Sequence, residues 1–253
     1  MDTQNEMDFS DIKNIIINST PYFDIKTLFN HHEPDPINRR LMYSAEPHAT
    51  LRGSFMGTHT TDRELWPFYP ALGWLAQDDI NAGDTASSFR TLFHHVLSQS
   101  ENKDSILQSI DGFNPNEKLE NQYDLLVDKY AEFDWISDNL DRFRHYVSLV
   151  DTLGNIVVWD RIFNKVRGFD FSTADNFPLS LVQYQEEFYA DNPTGWQQFI
   201  TDNQLTMYVN DDYSVDVFSD NPLPKTSAEF GAYLDWITPK MMQRNDEVIA
   251  LLA

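Results

Sequence analysis

The excess of acidic residues is the feature that most constrains this chain. It has 40 Asp and Glu residues against 18 Lys and Arg residues, which gives a formal net charge of -22 and a pI near 4.4. Carboxylates are costly to bury unless they are paired, so a folded form must place most of them at its surface. Such a surface repels a polyanionic backbone, and we therefore expect no direct binding to nucleic acid.

Apolar residues are numerous enough to build a core beneath that surface. Hydrophobic residues make up 41% of the 253 residues, and 18 Phe, 11 Tyr and 6 Trp supply bulky side chains. This content argues against wholesale disorder because it can offset the entropy lost on folding. We expect a single domain over residues 1–253; if it divides, the polar segment 99–117 is the expected boundary.

Several classes of protein are disfavoured by what the sequence lacks. Without Cys it has no disulfide, thiolate metal site or cysteine nucleophile. Its apolar runs, such as Ile156 to Trp159, fall far short of the ~20 residues that cross a bilayer. The segment Met1 to Ser10 is acidic and polar, unlike a secretory signal. We expect a cytoplasmic protein that does not contact membranes, and the oligomeric state stays open.

The hydrophobic pattern predicts a predominantly helical α+β fold with a small sheet. Helices are predicted over residues 8–17, 84–98, 119–133, 137–149 and 179–189, from Asn192, and from a capping box at Thr226 until Pro239 kinks or breaks the last one. Strands are predicted at 153–159 and 213–218, with further short strands in the Pro- and Gly-punctuated region 22–84. The buried stripe of helix 84–98 should contain Phe89, Leu92, Phe93, Val96 and Leu97.

Short elements in the C-terminal part follow one another in a distinctive order. They are Thr152-Leu153-Gly154-Asn155 before an apolar strand, Asn164-Lys165-Val166-Arg167-Gly168, Asp212-Tyr213-Ser214, Asn221-Pro222-Leu223-Pro224, and a last helix through Arg244-Asn245. In order and spacing they resemble a bacterial domain family of unknown function, of which this chain would be a diverged relative. Asp35-Pro36 is similar to an acidic-proline element near the family's start. The resemblance implies a shared fold and no particular activity.

Positive charge is concentrated in one N-terminal segment. Residues 31–64 hold four of the seven His and four of the ten Arg residues. One interpretation is an anion pocket of an enzyme that acts on a phosphorylated or carboxylated small molecule, with His59, Arg39, Arg40 and Arg167 as catalytic candidates. The other is that these arginines pair with the surplus carboxylates. A separate anion-binding candidate is Asn164, Arg167 and Gly168, where a strand exit can present backbone amides and a guanidinium.

The sequence offers little support for a metal, a cofactor or a familiar catalytic class. His59, Asp62 and Glu64 could join other N-terminal ligands, but no recognised ligand spacing is present. The acidic string that begins at Asp211-Asp212 lacks the Gly and terminal Glu of a calcium loop. No Gly-x-Ser-x-Gly, Gly-x-Gly-x-x-Gly or Walker lysine motif occurs. We therefore expect no metal and no cofactor, and we favour a non-catalytic protein, with the enzyme that uses an Arg and His pocket as the alternative.

The densest acidic segment is residues 101–141, with eleven carboxylates and three lysines. These acids could simply be solvated helix faces that confer solubility. The alternative is a binding surface for a basic protein partner, which makes the chain a non-catalytic interaction protein, including an inhibitor or nucleic-acid mimic of bacterial or phage origin. The predicted binding residues are Asp111, Glu117, Glu120, Asp124, Asp128, Glu132, Asp134, Asp138 and Asp141.

Overall fold

The computed structural model describes residues 9–19, 22–24, 33–45, 66–74, 81–160, 162–163, 177–219 and 223–253. Its α-helices and strands are α1 (Phe9–Asn18), α2 (Pro36–Ala45), β1 (Asn81–Thr85), α3 (Phe89–Gln99), α4 (Lys103–Ser109), α5 (Asp134–Asp138), α6 (Leu140–Val150), β2 (Ile156–Asp160), α7 (Leu179–Phe188), α8 (Pro193–Asp202) and α9 (Ser227–Leu252). Short 3-10 helices span Trp66–Leu72, Leu119–Leu126, Tyr130–Glu132, Leu153–Asn155 and Thr206–Tyr208. The predicted α+β class, mainly helical with a small sheet, is confirmed.

The two strands pair antiparallel and separate two hydrophobic clusters. Gly83 of β1 lies opposite Val158 of β2. Val157 and Trp159 belong to the larger cluster, whereas Ile156 and Val158 belong to the smaller one. This division follows from the alternation of side chains along a strand. The strand predicted at 153–159 is confirmed from Ile156 onward, with both of its faces buried, whereas Leu153–Asn155 forms a 3-10 helix before it.

Helix α9 spans both clusters. Its N-terminal half buries Phe230 and Ile237 in the larger cluster, and its C-terminal end buries Val248 in the smaller one. The Thr226 cap is confirmed, because the Glu229 amide donates to the Thr226 hydroxyl at 3.1 Å. The Glu229 carboxylate reaches back one residue further than in a capping box and accepts from the Lys225 amide at 2.7 Å. Because the two ends of α9 pack in different clusters, this helix connects the clusters to each other.

The predicted break at Pro239 is wrong, because α9 runs without interruption from Ser227 to Leu252. Pro239 lies on the exposed face, while Ile237 and Met241 on either side of it are fully buried. The carbonyl of Asp235 loses its helical donor, but Asp235 is itself exposed, so water can replace that donor. Burial of the flanking residues holds the helix together through the proline.

The predicted helix 119–133 is also wrong: the segment forms two 3-10 helices instead. Gln122 leaves the helical conformation, and its side chain accepts from the Asn114 amide at 2.7 Å and donates to the Asn114 carbonyl at 2.9 Å. Asp128 has a positive φ of 60°, and its amide donates to the side chain of Asn38 at 2.9 Å. Hydrogen bonds to other parts of the fold replace those of a continuous helix.

Other boundaries differ from the predicted ones for similar reasons. Helix α3 begins at Phe89 with Ser88 as its cap, because Asp84 and Thr85 are used by β1. The helix expected at 137–149 is α6, which begins at Leu140 because α5 continues to Asp138. The side chain of Asn139 between the two helices donates to the carbonyls of Trp135 and Ser227. The five-residue stripe predicted for α3 is buried, as expected.

The segment 213–218 is not a strand. Val215 makes one isolated antiparallel bridge with Val209, after a turn in which Tyr213 has a positive φ of 64°. The Asp216 carboxylate accepts from the ammonium of Lys240 at 2.7 Å, which ties the segment to α9 rather than to a neighbouring strand. In the expected boundary region 99–117, Ile106 and Leu107 of α4 are buried in the larger cluster. Among the described residues, no helix is long and apolar enough to cross a membrane.

Candidate interaction surface

Buried aromatic side chains anchor the acidic segment 101–141 in the hydrophobic core. Tyr123, Tyr130, Phe133 and Trp135 all lie in the larger hydrophobic cluster. The ring of Tyr123 packs edge-on against Phe93 of α3, with centroids 5.3 Å apart. With apolar residues directed inward, the charged residues between them must face outward. We call this segment the acidic surface.

Most of the predicted binding residues lie at the exterior. Seven of the nine are exposed, and the other two, Glu120 and Asp134, are half-buried. The exposed ones are Asp111, Glu117, Asp124, Asp128, Glu132, Asp138 and Asp141. They come from short turns, 3-10 helices and α-helices.

Three of these carboxylates accept hydrogen bonds that stabilise the fold. Asp134 accepts from the Glu101 amide at 3.0 Å and from the Trp135 amide at 2.7 Å. Asp138 accepts from the Ser227 hydroxyl at 2.9 Å, and Asp128 accepts from the side-chain amide of Asn38 at 2.7 Å. The bonds of Asp138 and Asp128 join the acidic surface to other elements, and those of Asp134 connect two parts of the acidic surface itself. These residues therefore position the surface.

Two further carboxylates form exposed ion pairs, and four do not. Glu120 lies 3.1 Å from Arg90, and Glu132 lies 2.9 Å from Lys129. Exposed pairs of this kind contribute little, about 0–1 kcal/mol each. Within the described part of the chain, no ion pair is made by the remaining members: Asp111, Glu117, Asp124 and Asp141. These four carry uncompensated charge.

A groove of about 350 Å³ lies between α3, α4 and the turns that follow α4. Its apolar wall includes Leu107, Phe113 and Leu119, and Asp104 and Glu117 lie at the same groove. Lys103 and His94 also line it. The groove thus combines apolar area with two carboxylates at the edge of the acidic surface.

The predicted anion pocket is only partly within the described residues. Arg39 lies 3.4 Å from Asp24, and Arg40 lies 3.3 Å from the buried Asp151. Both guanidinium groups therefore have an aspartate beside them, which is what the charge-balancing interpretation expects. His59 lies outside the described residues, as do the anion-binding candidates Asn164, Arg167 and Gly168.

The acidic string near Asp211 forms a turn. The Asp212 carboxylate accepts from the Ser214 amide at 2.9 Å and from the Ser214 hydroxyl at 2.6 Å, and these bonds lower the pKa of Asp212. Over the described ranges, no three His, Asp or Glu side chains cluster closely enough to hold a metal ion. His59, Asp62 and Glu64 lie outside those ranges.

One polar cluster was not anticipated from the sequence. The Asp35 carboxylate accepts from the Tyr130 hydroxyl and from Arg144 Nε, both at 2.7 Å, and Arg144 also donates to the Tyr130 hydroxyl at 2.9 Å. The other Asp35 oxygen caps α2 by accepting from the Ile37 amide at 2.9 Å. The only sequence signal was the Asp35-Pro36 pair, which is typical of a helix start.

Electrostatics in this cluster favour a fixed arrangement. Burial opposes ionisation of Asp35, but hydrogen bonds from Tyr130 and the Asn38 amide, with the charge of Arg144, lower its pKa overall. Burial and the hydrogen bond to Asp35 raise the pKa of Tyr130 to about 12. The cluster therefore holds the start of α2 against α6 and the acidic surface.

No family model, curated protein or solved structure matches this chain. The resemblance to a bacterial domain family of unknown function stays a prediction.

Proposed function

We propose that this chain is a non-catalytic interaction protein that binds a basic protein through the acidic surface. The observation that carries the proposal is the set of four carboxylates, Asp111, Glu117, Asp124 and Asp141, that make no ion pair among the described residues. A net charge of -22 opposes folding through self-repulsion, so unpaired acids suit a partner that supplies the opposite charge.

Rigidity of the acidic surface strengthens this proposal. The turns that carry the acids are fixed by the hydrogen bonds of Gln122 to Asn114 and of Asn38 to Asp128. A surface that is already ordered loses little conformational entropy when it binds. Electrostatic attraction would also accelerate encounter with a basic partner and make the association rate fall with salt.

The groove beside the acidic surface suits one long basic side chain from the partner. The aliphatic stem of an Arg or Lys could lie against Leu107 and Phe113, and its charge could reach Asp104 or Glu117. Buried anchors of this kind commonly contribute most of the binding energy of an interface.

Inhibition of a nucleic-acid-binding protein is the form of this function that we favour. Such a partner has a groove of Lys and Arg that normally binds phosphates, and carboxylates on a rigid surface can occupy it. The enzyme alternative gains no support from Arg39 and Arg40, because each lies beside an aspartate.

The test compares two variants of equal charge against a panel of basic nucleic-acid-binding proteins. One variant carries Asp111→Asn, Glu117→Gln, Asp124→Asn and Asp141→Asn in the acidic surface. The control neutralises four carboxylates of α9, outside the acidic surface: Glu229→Gln, Asp235→Asn, Asp246→Asn and Glu247→Gln. Binding is measured by calorimetry at salt concentrations from about 0.05 to 0.5 M, a range over which the Debye length shortens severalfold.

We expect the acidic-surface variant to lose about tenfold or more in affinity and to show a flatter salt dependence, while the control loses much less. Equal losses in the two variants would show that net charge alone matters, and the acidic surface would then not be the binding site. Affinity for a panel member that is insensitive to salt would also contradict the proposal.

A further inference from the structure

A partly exposed aromatic surface lies where β2 ends and helix α7 stops. Phe188 is 41% exposed although its ring packs 4.8 Å from that of Tyr184 and 6.0 Å from that of Phe163, centroid to centroid. Ile162, next to Phe163 in the chain, is 70% exposed. Two large apolar side chains are therefore exposed next to buried aromatic residues: Ile162 adjoins Phe163 in the chain, and Phe188 packs against the rings of Phe163 and Tyr184.

More aromatic rings extend this surface onto helix α8. Tyr189 and Phe199 are half-buried, with ring centroids 5.8 Å apart. Phe199 in turn lies 4.9 Å from Tyr184. The rings form one connected network on a packed base, so the outer faces are held in place. We call Ile162, Phe188, Tyr189 and Phe199 the aromatic patch.

The surroundings of the aromatic patch are acidic. Helices α7 and α8 and the turn between them, residues 179–202, contain no Lys, Arg or His, and they contain four carboxylates: Glu186, Glu187, Asp191 and Asp202. Arg161 adds one positive charge next to Ile162 in the sequence. Asp160 at the end of β2 is close as well, since its amide donates to the Tyr184 hydroxyl at 3.2 Å. Burial raises the pKa of Tyr189, and the charges of Asp160 and Asp202 raise it further. Both carboxylates are therefore near the rings.

We propose that the aromatic patch is a second contact surface, which takes arginine side chains of the basic partner. The proposal rests on the proposed function for the nature of that partner. A guanidinium group can stack on an aromatic face and at the same time pair with a neighbouring carboxylate, and it is more weakly hydrated than an ammonium group. The patch provides aromatic rings for stacking and nearby carboxylates for ion pairing, and residues 177–219 contain no cation.

Charge also argues against the other obvious occupant, a second copy of this chain. Two copies would each bring a net charge of -22, and the acids around the patch would face one another across the contact. A cationic partner removes that repulsion and covers the apolar area at once. The acidic surroundings therefore select a basic occupant for an exposed apolar patch.

The test uses fluorescently labelled deca-arginine and deca-lysine peptides as probes, with binding followed by anisotropy. Phe188→Leu keeps an apolar side chain and removes the aromatic face. Leu251→Ala is the matched control, because Leu251 is 52% exposed on α9 and has no place in the patch. We expect Phe188→Leu to weaken deca-arginine binding by about threefold and to reduce the preference for arginine over lysine, with Leu251→Ala close to the unaltered protein.

A second measurement does not depend on any variant remaining folded. The methyl group of Ile162 is labelled with ¹³C and assigned with Ile162→Val, and its NMR signal is followed as deca-arginine is added. We expect that signal to shift in a saturable way. An unperturbed Ile162 methyl under conditions where anisotropy shows binding would overturn the proposal.

The two proposals fail in different ways. If Phe188→Leu binds deca-arginine as the unaltered protein does while the acidic-surface variant is weakened, the patch is not a contact surface and the proposed function stands. If Phe188→Leu is weakened and the acidic-surface variant is not, cation binding resides at the patch and the proposed function loses its site.

Discussion

The Asn245 side chain is packed directly against the backbone of Gly154. The Gly154 amide donates to Asn245 Oδ1 at 2.9 Å, and a Cβ on Gly154 would lie 2.5 Å from Asn245 Cγ. Asn245 Nδ2 donates to the Thr152 hydroxyl at 2.9 Å. This contact joins α9 to the 3-10 helix Leu153–Asn155 that leads into β2, so a buried carboxamide holds these two elements together.

Replacing Gly154 by Ala should therefore destabilise the protein. The added methyl group would overlap Asn245, so the side chain or the backbone must shift, and we expect a loss of about 2 kcal/mol in the free energy of unfolding. Urea denaturation measures it. In the double variant with Asn245→Ala, the cost of Gly154→Ala should shrink because the obstructing group is gone. Equal costs in both backgrounds would refute the contact.

Substitution of Arg244 should strongly lower the free energy of unfolding. Its fully buried guanidinium donates to the carbonyls of Gly154, Asn203 and Gln204 at 2.8, 3.0 and 3.1 Å and lies over the ring of Trp74. Burial lowers the pKa of Arg244 to about 10, so it stays charged at neutral pH.

We expect Arg244→Lys to lower the free energy of unfolding by about 3 kcal/mol, because one ammonium group cannot reach all these carbonyls. The control is Arg90→Lys in the exposed pair with Glu120, which should change stability by less than about 0.5 kcal/mol. Chemical denaturation compares them, and similar small effects would show that the buried hydrogen bonds are dispensable.

Asp35 should contribute stability that disappears in acid. Its folded pKa lies below the unfolded value of about 4, so the contribution is complete above that value and is lost as the pH falls below it through the folded pKa. Asp35→Asn should lower the free energy of unfolding near neutral pH by about 1–2 kcal/mol, with the difference from the unaltered protein shrinking below about pH 4. Urea denaturation as a function of pH measures this difference; a constant one would contradict the assignment.

Pro239 should reduce the stability of α9. Its ring removes a hydrogen bond to the exposed Asp235 carbonyl, so Pro239→Ala should raise the free energy of unfolding by about 1–3 kcal/mol. The reverse substitution at an exposed position of the same helix, Ala232→Pro, should lower it by about 3 kcal/mol. Thermal and urea denaturation test both, and a loss on Pro239→Ala would show that the proline is required.

The four unpaired carboxylates of the acidic surface should lower the free energy of unfolding of the protein. Neutralising Asp111, Glu117, Asp124 and Asp141 together should leave the free energy of unfolding unchanged or raise it, because repulsion is relieved and no described ion pair is lost. By contrast, Asp134→Asn should lower it by about 1 kcal/mol, since Asp134 accepts two backbone amides. Calorimetry of both variants separates unpaired acids from structural ones; a destabilised quadruple variant would contradict the distinction.

Local pattern was sufficient where burial follows the helix or strand period. The buried stripe of α3, from Phe89 to Leu97, could be predicted because one face of this helix packs in the core. The strand that begins at Ile156 could be predicted because both of its faces are buried, which gives a continuous apolar run. The exposed acids of the candidate site could be predicted too, since isolated charges remain in water. Which of those acids are paired was not predictable, because Arg90 and Asn38 come from distant parts of the chain.

The sequence by itself determined the helical α+β class, the apolar faces and the acidic exterior, because periodicity and the cost of burying charge act residue by residue. Only the tertiary structure decided where 119–133 leaves the helix, that α9 continues through Pro239, and that Asn245 meets Gly154 across 91 residues. Those outcomes depend on hydrogen bonds and packing between segments whose proximity no local pattern encodes.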